Sequence, residues 1–486
     1  NYTPVNLVAF CLAGFACVSV VVFLASTQPF YITEVIGLQQ DNIGSVIGTL
    51  GAVDELTLIV TAPLLGALAD KLNGLWWFHM SGSKFVQSSS LLVVAIALVG
   101  YGQWCTSIVP DLVFFRAVFA IGVTACMSMI TVTLNELSNS DFDFAKFWRR
   151  SDQYQVVENG ELATSPKSKN GKYAAMVGMA TGMGAIFAVS FFLTLPPKLV
   201  DRYPNLDIKG ALKLSYDLIA AYAVLMGLLL FLFLYDFKKS VPEVVQVPDG
   251  TVEEEHTAAT PRNEAYFALI YNALVESKKD RQIQLAYVGA FVARSTTVTT
   301  SVFIPLLVYN YYYNTGKCGN SATDNSPDFP SKATCHDGYI FSAILTGVAQ
   351  SVALVSSPLW GWLIDLRKVG KQKTILMASI TGILGNFGLC LLSTYTPDGV
   401  YDPRTSVCFV MVSFIGLSQI GIIITSMSIL SGVNKAPHMG SLSGLYSLCG
   451  GLGILVISKV GGVWSDSWIL APFFLLGTFN LVLMVV

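Results

Sequence analysis

Residues 42–74 read NIGSVIGTLGAVDELTLIVTAPLLGALADKLNG, and this stretch decides the fold. From Asn42 to Gly66 it is apolar and long enough to cross a bilayer as one helix. Two acids, Asp54 and Glu55, sit near its middle. It closes on Pro63-Leu64-Leu65-Gly66-Ala67-Leu68-Ala69-Asp70, and that ending returns as Pro358-Leu359-Trp360-Gly361-Trp362-Leu363-Ile364-Asp365. The two share the pattern PLxGxLxD at a separation of 295 residues.

The rest of the chain is of the same kind. Of 486 residues 53% are hydrophobic and 12% charged, about half the charge of a soluble domain. The apolar residues form runs of roughly twenty, the length of a membrane span. We read twelve helices, over 5–29, 42–66, 86–108, 110–134, 172–195, 215–236, 283–310, 339–364, 374–394, 406–430, 440–462 and 467–486. The expected fold is an all-α polytopic membrane protein, its twelve transmembrane helices in two pseudo-symmetric six-helix bundles. The N-terminal bundle covers 1–236 and the C-terminal bundle 283–486. Between them, 237–282 forms a cytoplasmic central loop with a short amphipathic helix near 264–275. A second repeat supports the duplication: Gly171, Gly182 and Gly184 match Gly440, Gly451 and Gly453 at a constant offset of 269.

Lys and Arg fix the expected orientation. One set of loops holds 19 of them and the other 8, which places the richer set and both termini in the cytoplasm. Cys318 and Cys335 then share a loop on the opposite side, the oxidising one if the compartment is extracellular or secretory, and are expected to form a disulfide. A net charge of −2 gives no support to nucleic-acid binding. No phosphate loop, dinucleotide fingerprint, nucleophile elbow or HExxH motif is present, so no enzyme is expected. No cofactor or metal is expected either. The identity of the membrane does not follow from the sequence.

Twelve helices in two related halves, with GxLxD closing spans 2 and 8, resemble the major facilitator superfamily. The second copy of the motif is the fuller one: Gly361, Leu363, Asp365, Arg367, Gly370, Lys371 and Lys373. The first keeps Gly66, Leu68 and Asp70 and then departs, with no basic cluster in LWWFHMSGSK. The resemblance implies a conformational latch built from Asp70, Asp365, Arg367 and the glycines Gly66 and Gly361. Each Asp would pair with a cation across its loop or with the positive N-terminus of a neighbouring helix. Within the superfamily the drug/proton antiporters are nearest, through Arg116 in FFRAVFAIGVTA and the glycine-rich GMATGMG of span 5. Ala120 stands where their pattern has glycine, and span 5 lacks its proline.

The residues expected to carry the chemistry are polar groups inside the spans. Asp54 and Glu55 are the proton-coupling candidates, since an acid in hydrocarbon must be paired, hydrated or protonated. Neighbours on a helix point about 100° apart, so one acid is expected to face the central cavity or the interface between halves and the other a partner within its own half. Arg294 on span 7 is expected to bind an anionic group of a substrate or to be the counter-ion of Asp54 or Glu55. Gln28, Gln419 and Gln350 are the weaker substrate candidates. Arg116 is expected to be structural, near enough to the membrane surface to snorkel. The resulting expectation is a secondary active transporter that couples a proton gradient to movement of a small organic solute by alternating access. It would work as a monomer in the lipid bilayer, with or without an accessory subunit. The competing expectations are an uncoupled facilitator, a transporter of lipid-like molecules, and a transporter-like sensor or scaffold.

Overall fold

The computed structural model describes residues 4–37, 43–72, 81–138, 170–203, 207–234, 265–316, 336–366, 368–392, 395–396, 399–433, 438–465 and 467–486. Cys318, Cys335 and Arg367 lie outside these residues. Eleven described helices are long and apolar enough to cross a membrane. Spans 1 to 6 are Pro4–Gln28, Thr49–Leu72, Gly82–Trp104, Ile108–Leu137, Gly171–Phe192 and Lys209–Phe233. Spans 7 to 11 are Arg281–Asn314, Ile340–Asp365, Gly370–Leu391, Ser406–Ser431 and Met439–Ser465. The shorter apolar helix Ala471–Val485 completes the twelve. The central segment contributes a linker helix, Tyr266–Lys279, just ahead of span 7.

Spans 1 to 6 pack on one another, as do spans 7 to 12, and each set has its own buried cluster at the end away from the motifs. In the N-terminal half that cluster is aromatic. Tyr31, Tyr101 and Tyr216 are fully buried and packed ring against ring, with Phe23 and Phe192 around them. At the motif end a single apolar core runs through both halves.

Two crossings join the halves: span 2 against span 11, and span 5 against span 8. The two sequence repeats meet in them. The PLxGxLxD copies lie on spans 2 and 8; the repeated glycines lie on spans 11 and 5. A Cβ on Gly440 would sit 2.5 Å from the Gly66 carbonyl oxygen, and a Cβ on Gly171 2.5 Å from the Gly361 carbonyl oxygen. These are backbone-on-backbone contacts that only glycine permits. Further along, Ser357 Oγ donates to the Ala175 carbonyl at 3.1 Å, and Gly451 packs on Leu58. Toward the other end the halves part. A side chain on Gly51 or Gly347, beyond Glu55 and Gln350 on spans 2 and 8, would meet nothing within 4 Å.

The crossings are sealed by the motif aspartates. Asp70, 2% exposed, accepts from Gly440 N, Ser441 N and Ser441 Oγ, each at 2.7 Å. Asp365 accepts from Gly171 N and Lys172 N, both at 3.1 Å. Each carboxylate therefore caps the first turn of a helix in the opposite half, where backbone N–H groups have no partner inside the helix. Asn135 adds a further tie, donating to the Ser431 carbonyl at 2.5 Å. Gly370 takes φ +69°, a left-handed turn that sends the chain from Asp365 into span 9.

Substituting the crossing glycines is expected to act at the closed end alone. Gly440→Val should cost about 1–3 kcal/mol of stability through overpacking, whereas Gly51→Ala, in open space, should stay within about 0.5 kcal/mol. Thermal unfolding of the purified protein in detergent measures both. Asp70→Asn should lower the midpoint more than Asp365→Asn, because Asp70 is buried and accepts at 2.7 Å, whereas Asp365 is less buried and accepts from the helix amides at 3.1 Å.

Candidate functional site

Between the closed end and the open end, the mid-membrane polar residues form two groups, one in each half. The first is built on Asp54. Its carboxylate accepts from Arg116 Nε at 2.7 and 2.9 Å and from Arg116 Nη2 at 2.5 Å, a bidentate ion pair between spans 2 and 4. Arg116 Nη1 also donates to Gln28 Oε1 at 2.8 Å, bringing in span 1. The Tyr101 hydroxyl lies buried beside the guanidinium, short of hydrogen-bond geometry. Gln28 Nε2 is buried with no partner among the described residues.

This corrects two expectations. Arg116 does not snorkel: it is 9% exposed and turned inward. The counter-ion of Asp54 is Arg116, not Arg294. The physical reason is packing: spans 2 and 4 lie against each other within one half, which brings the Arg116 fork onto both Asp54 oxygens, whereas Arg294 stands on span 7 of the other half. Gln28, taken as a substrate candidate, is bonded to that fork.

Glu55 is turned away from this group. It lies at the crossing of spans 2 and 11, where a Cβ on Gly451 would be 3.6 Å from its Oε2. That oxygen is buried without a hydrogen-bond partner among the described residues. Arg294 stands across from it. A Cβ on Gly450, next to the Gly451 that faces Glu55 and Leu58, would lie 2.8 Å from Arg294 Cγ. Arg294 is thus set between the halves. Its side chain is exposed, and no described residue gives it a hydrogen bond or a salt bridge.

The second group lies one and two turns further along span 7. Gln419 Nε2 donates to Thr297 Oγ1 at 3.2 Å, and Thr300 Oγ1 donates to Gln419 Oε1 at 3.3 Å. Gln350 Nε2 donates to the same Thr300 oxygen at 3.3 Å. Spans 7, 8 and 10 are joined there by side-chain amides and hydroxyls. Two of the expected substrate candidates, Gln350 and Gln419, therefore meet, and the threonines that join them are new. Their signal in the sequence was the run Ser295-Thr296-Thr297-Val298-Thr299-Thr300, whose hydroxyls recur at helical spacing next to Arg294. A π-helical turn over Thr299–Phe303 follows. Among the described residues no group of three or more His, Cys, Asp and Glu side chains is arranged to hold a metal.

The family model described as Major Facilitator Superfamily matches residues 162–458, and the chain belongs to that superfamily. That superfamily is a class of membrane transporters. The magnetosome protein MamZ of Magnetospirillum gryphiswaldense is 20% identical over 460 residues, which cover 93% of this chain and 57% of that protein. The chain thus spans little more than half the length of that relative. Among solved structures, the proton:xylose symporter XylE bound to 6-bromo-6-deoxy-D-glucose aligns with a TM-score of 0.60 at 14% identity, covering 99% of this chain and 94% of that one. The fucose:proton symporter FucP of E. coli aligns with a TM-score of 0.60 at 14% identity, covering 99% and 96%. These likenesses establish the fold.

The ion pair makes a double-mutant prediction. Asp54→Asn leaves a buried guanidinium short of charge and should cost about 3–5 kcal/mol. Asp54→Asn combined with Arg116→Gln should cost clearly less than the two single changes added together. Thermal unfolding of the four proteins in one detergent closes the cycle.

Proposed function

We propose that this chain is a secondary active transporter moving a small organic solute with an anionic group, and that Glu55 carries the coupled proton. The observation behind this is the contrast between the two neighbouring acids. Asp54 is saturated by Arg116 inside its own half. Glu55 stands at the interface with one oxygen unsatisfied, and Arg294, across from it, has no salt bridge, both among the described residues.

Coupling requires a carboxyl group whose surroundings differ between the two conformations. The surroundings of Glu55 include Gly451 and Leu58 at the span 2–span 11 crossing, which must change when the halves rock. Asp54 and Arg116 belong to one half and would travel together. Arg294 supplies the positive charge for an anionic group, and the Thr297–Gln419–Thr300–Gln350 network supplies hydroxyl and amide partners beside it. As the solute's negative charge occupies Arg294, the charge that Arg294 exerts on Glu55 is offset, and the acid takes up its proton. That is the link between the two loads.

With the motif end assigned to the cytoplasm by the Lys and Arg asymmetry, this conformation is closed to the cytoplasm and open to the other side. The Asp70 and Asp365 contacts would break and re-form once per cycle.

The test is proton movement in liposomes holding a trapped pH dye, with fractionated metabolites presented outside. A fraction that moves protons with the parent protein should fail with Glu55→Gln by at least about tenfold, since no other group then takes up the coupled proton. Arg294→Gln should lose anionic solutes from the active fractions. Solute crossing that is unchanged in Glu55→Gln, with no proton movement in the parent, would leave a facilitator in place of the coupled transporter.

A further inference from the structure

The linker helix Tyr266–Lys279 ends one residue before span 7 begins at Arg281. Asp280 divides them, its carboxylate accepting from Gln282 N at 2.7 Å. The C-terminal end of the linker helix is therefore held at the level where span 7 enters the membrane. Its inner face is anchored. Leu269 and Ala273 are fully buried and Ser277 nearly so, against spans 2, 7 and 11. The Tyr266 hydroxyl donates to the Leu64 carbonyl, within the first PLxGxLxD motif.

The opposite face is uncovered. Phe267 is 74% exposed, Tyr271 67% and Leu274 42%, and Lys278 follows them, also exposed. Spacings of four, three and four residues place all four side chains in one stripe. Lys279 and Arg281 are exposed at the same end. Two aromatic rings and a leucine side by side gain nothing from facing water. Aromatic and aliphatic side chains followed by lysines, at the membrane boundary, have the chemistry of a helix lying in a lipid interface.

We propose that this stripe docks on the anionic lipid surface of the leaflet at the latch end. Phe267, Tyr271 and Leu274 enter the headgroup boundary, and Lys278, Lys279 and Arg281 face the lipid phosphates. The helix touches span 2 at Leu64 and also packs on span 11, the two elements that the Asp70 contacts join. Lipid docking therefore favours the closed latch, and the lipid composition of that leaflet biases the conformational equilibrium.

The test uses the full chain in nanodiscs of phosphatidylcholine alone or with about 30% phosphatidylglycerol, an anionic surface of the kind that attracts basic segments. Backbone amide exchange over 266–279 is followed by mass spectrometry. Exchange should slow roughly tenfold in the anionic discs, and the difference should shrink at high salt. Lys278→Gln with Lys279→Gln should remove the response to lipid charge. Phe267→Ser with Tyr271→Ser, on exposed positions that leave the fold intact, should speed exchange in both lipids. Equal exchange in the two lipids overturns the proposal. So does protection that appears only when soluble protein is added, which would assign the stripe to a protein partner.

Discussion

Two carboxylates hold this structure closed, and each does so by binding the start of a helix in the other half. Asp70 meets the amides of Gly440 and Ser441, and Asp365 those of Gly171 and Lys172. Backbone N–H groups at a helix start carry partial positive charge and lack partners of their own. Asp70 is buried, so water competes poorly for it. The contact can form only if the backbones come close enough for a carboxylate to reach, and the paired glycines provide that approach. Glycine crossings and aspartate caps are thus one device, used twice around the pseudo-twofold axis.

The symmetry stops at mid-membrane. Spans 2 and 4 are joined by the Asp54–Arg116 pair. The corresponding spans 8 and 10 are joined by close backbone approach, where a side chain on Gly416 would strike the Ala349 carbonyl. Ala349 occupies the place of Asp54, and Gln350 the place of Glu55. One half therefore holds an acid and an arginine in a fixed pair beside the unsatisfied Glu55, and the other carries neutral amides, hydroxyls and Arg294, which has no salt bridge among the described residues.

Much of this was legible in the sequence. Twelve spans follow from hydropathy, since hydrocarbon leaves a backbone few alternatives to helix. The duplicated PLxGxLxD and the glycine repeat announce two related halves. That the two repeats are partners across one interface was hidden, because their offsets of 295 and 269 residues say nothing about distance in space. The 100° between Asp54 and Glu55 on a helix separates their surroundings, as the structure displays. The partner of Asp54 could not be chosen from sequence, because Arg116 and Arg294 both lie in spans and only the tertiary packing ranks them. Thr297 and Thr300 were missed because threonines in a span usually bond to their own helix backbone, and both do so here as well. The linker helix appeared as an amphipathic stretch, without its exposed aromatic stripe.

Four of the five latch donors are peptide groups, the fifth being the Ser441 hydroxyl on Asp70. A side-chain partner can be lost by a single codon change, but an amide N–H disappears only if proline takes its position. The carboxylates are thus required as side chains, whereas each donor amide is supplied by any residue but proline, with Gly440 and Gly171 held to glycine by the close approach. This accounts for a first motif copy that lacks the basic cluster of the second yet makes the tighter closure. Drift in the surrounding loops leaves the closing contact intact, and a chain of this kind can diverge far in sequence without losing its hinge.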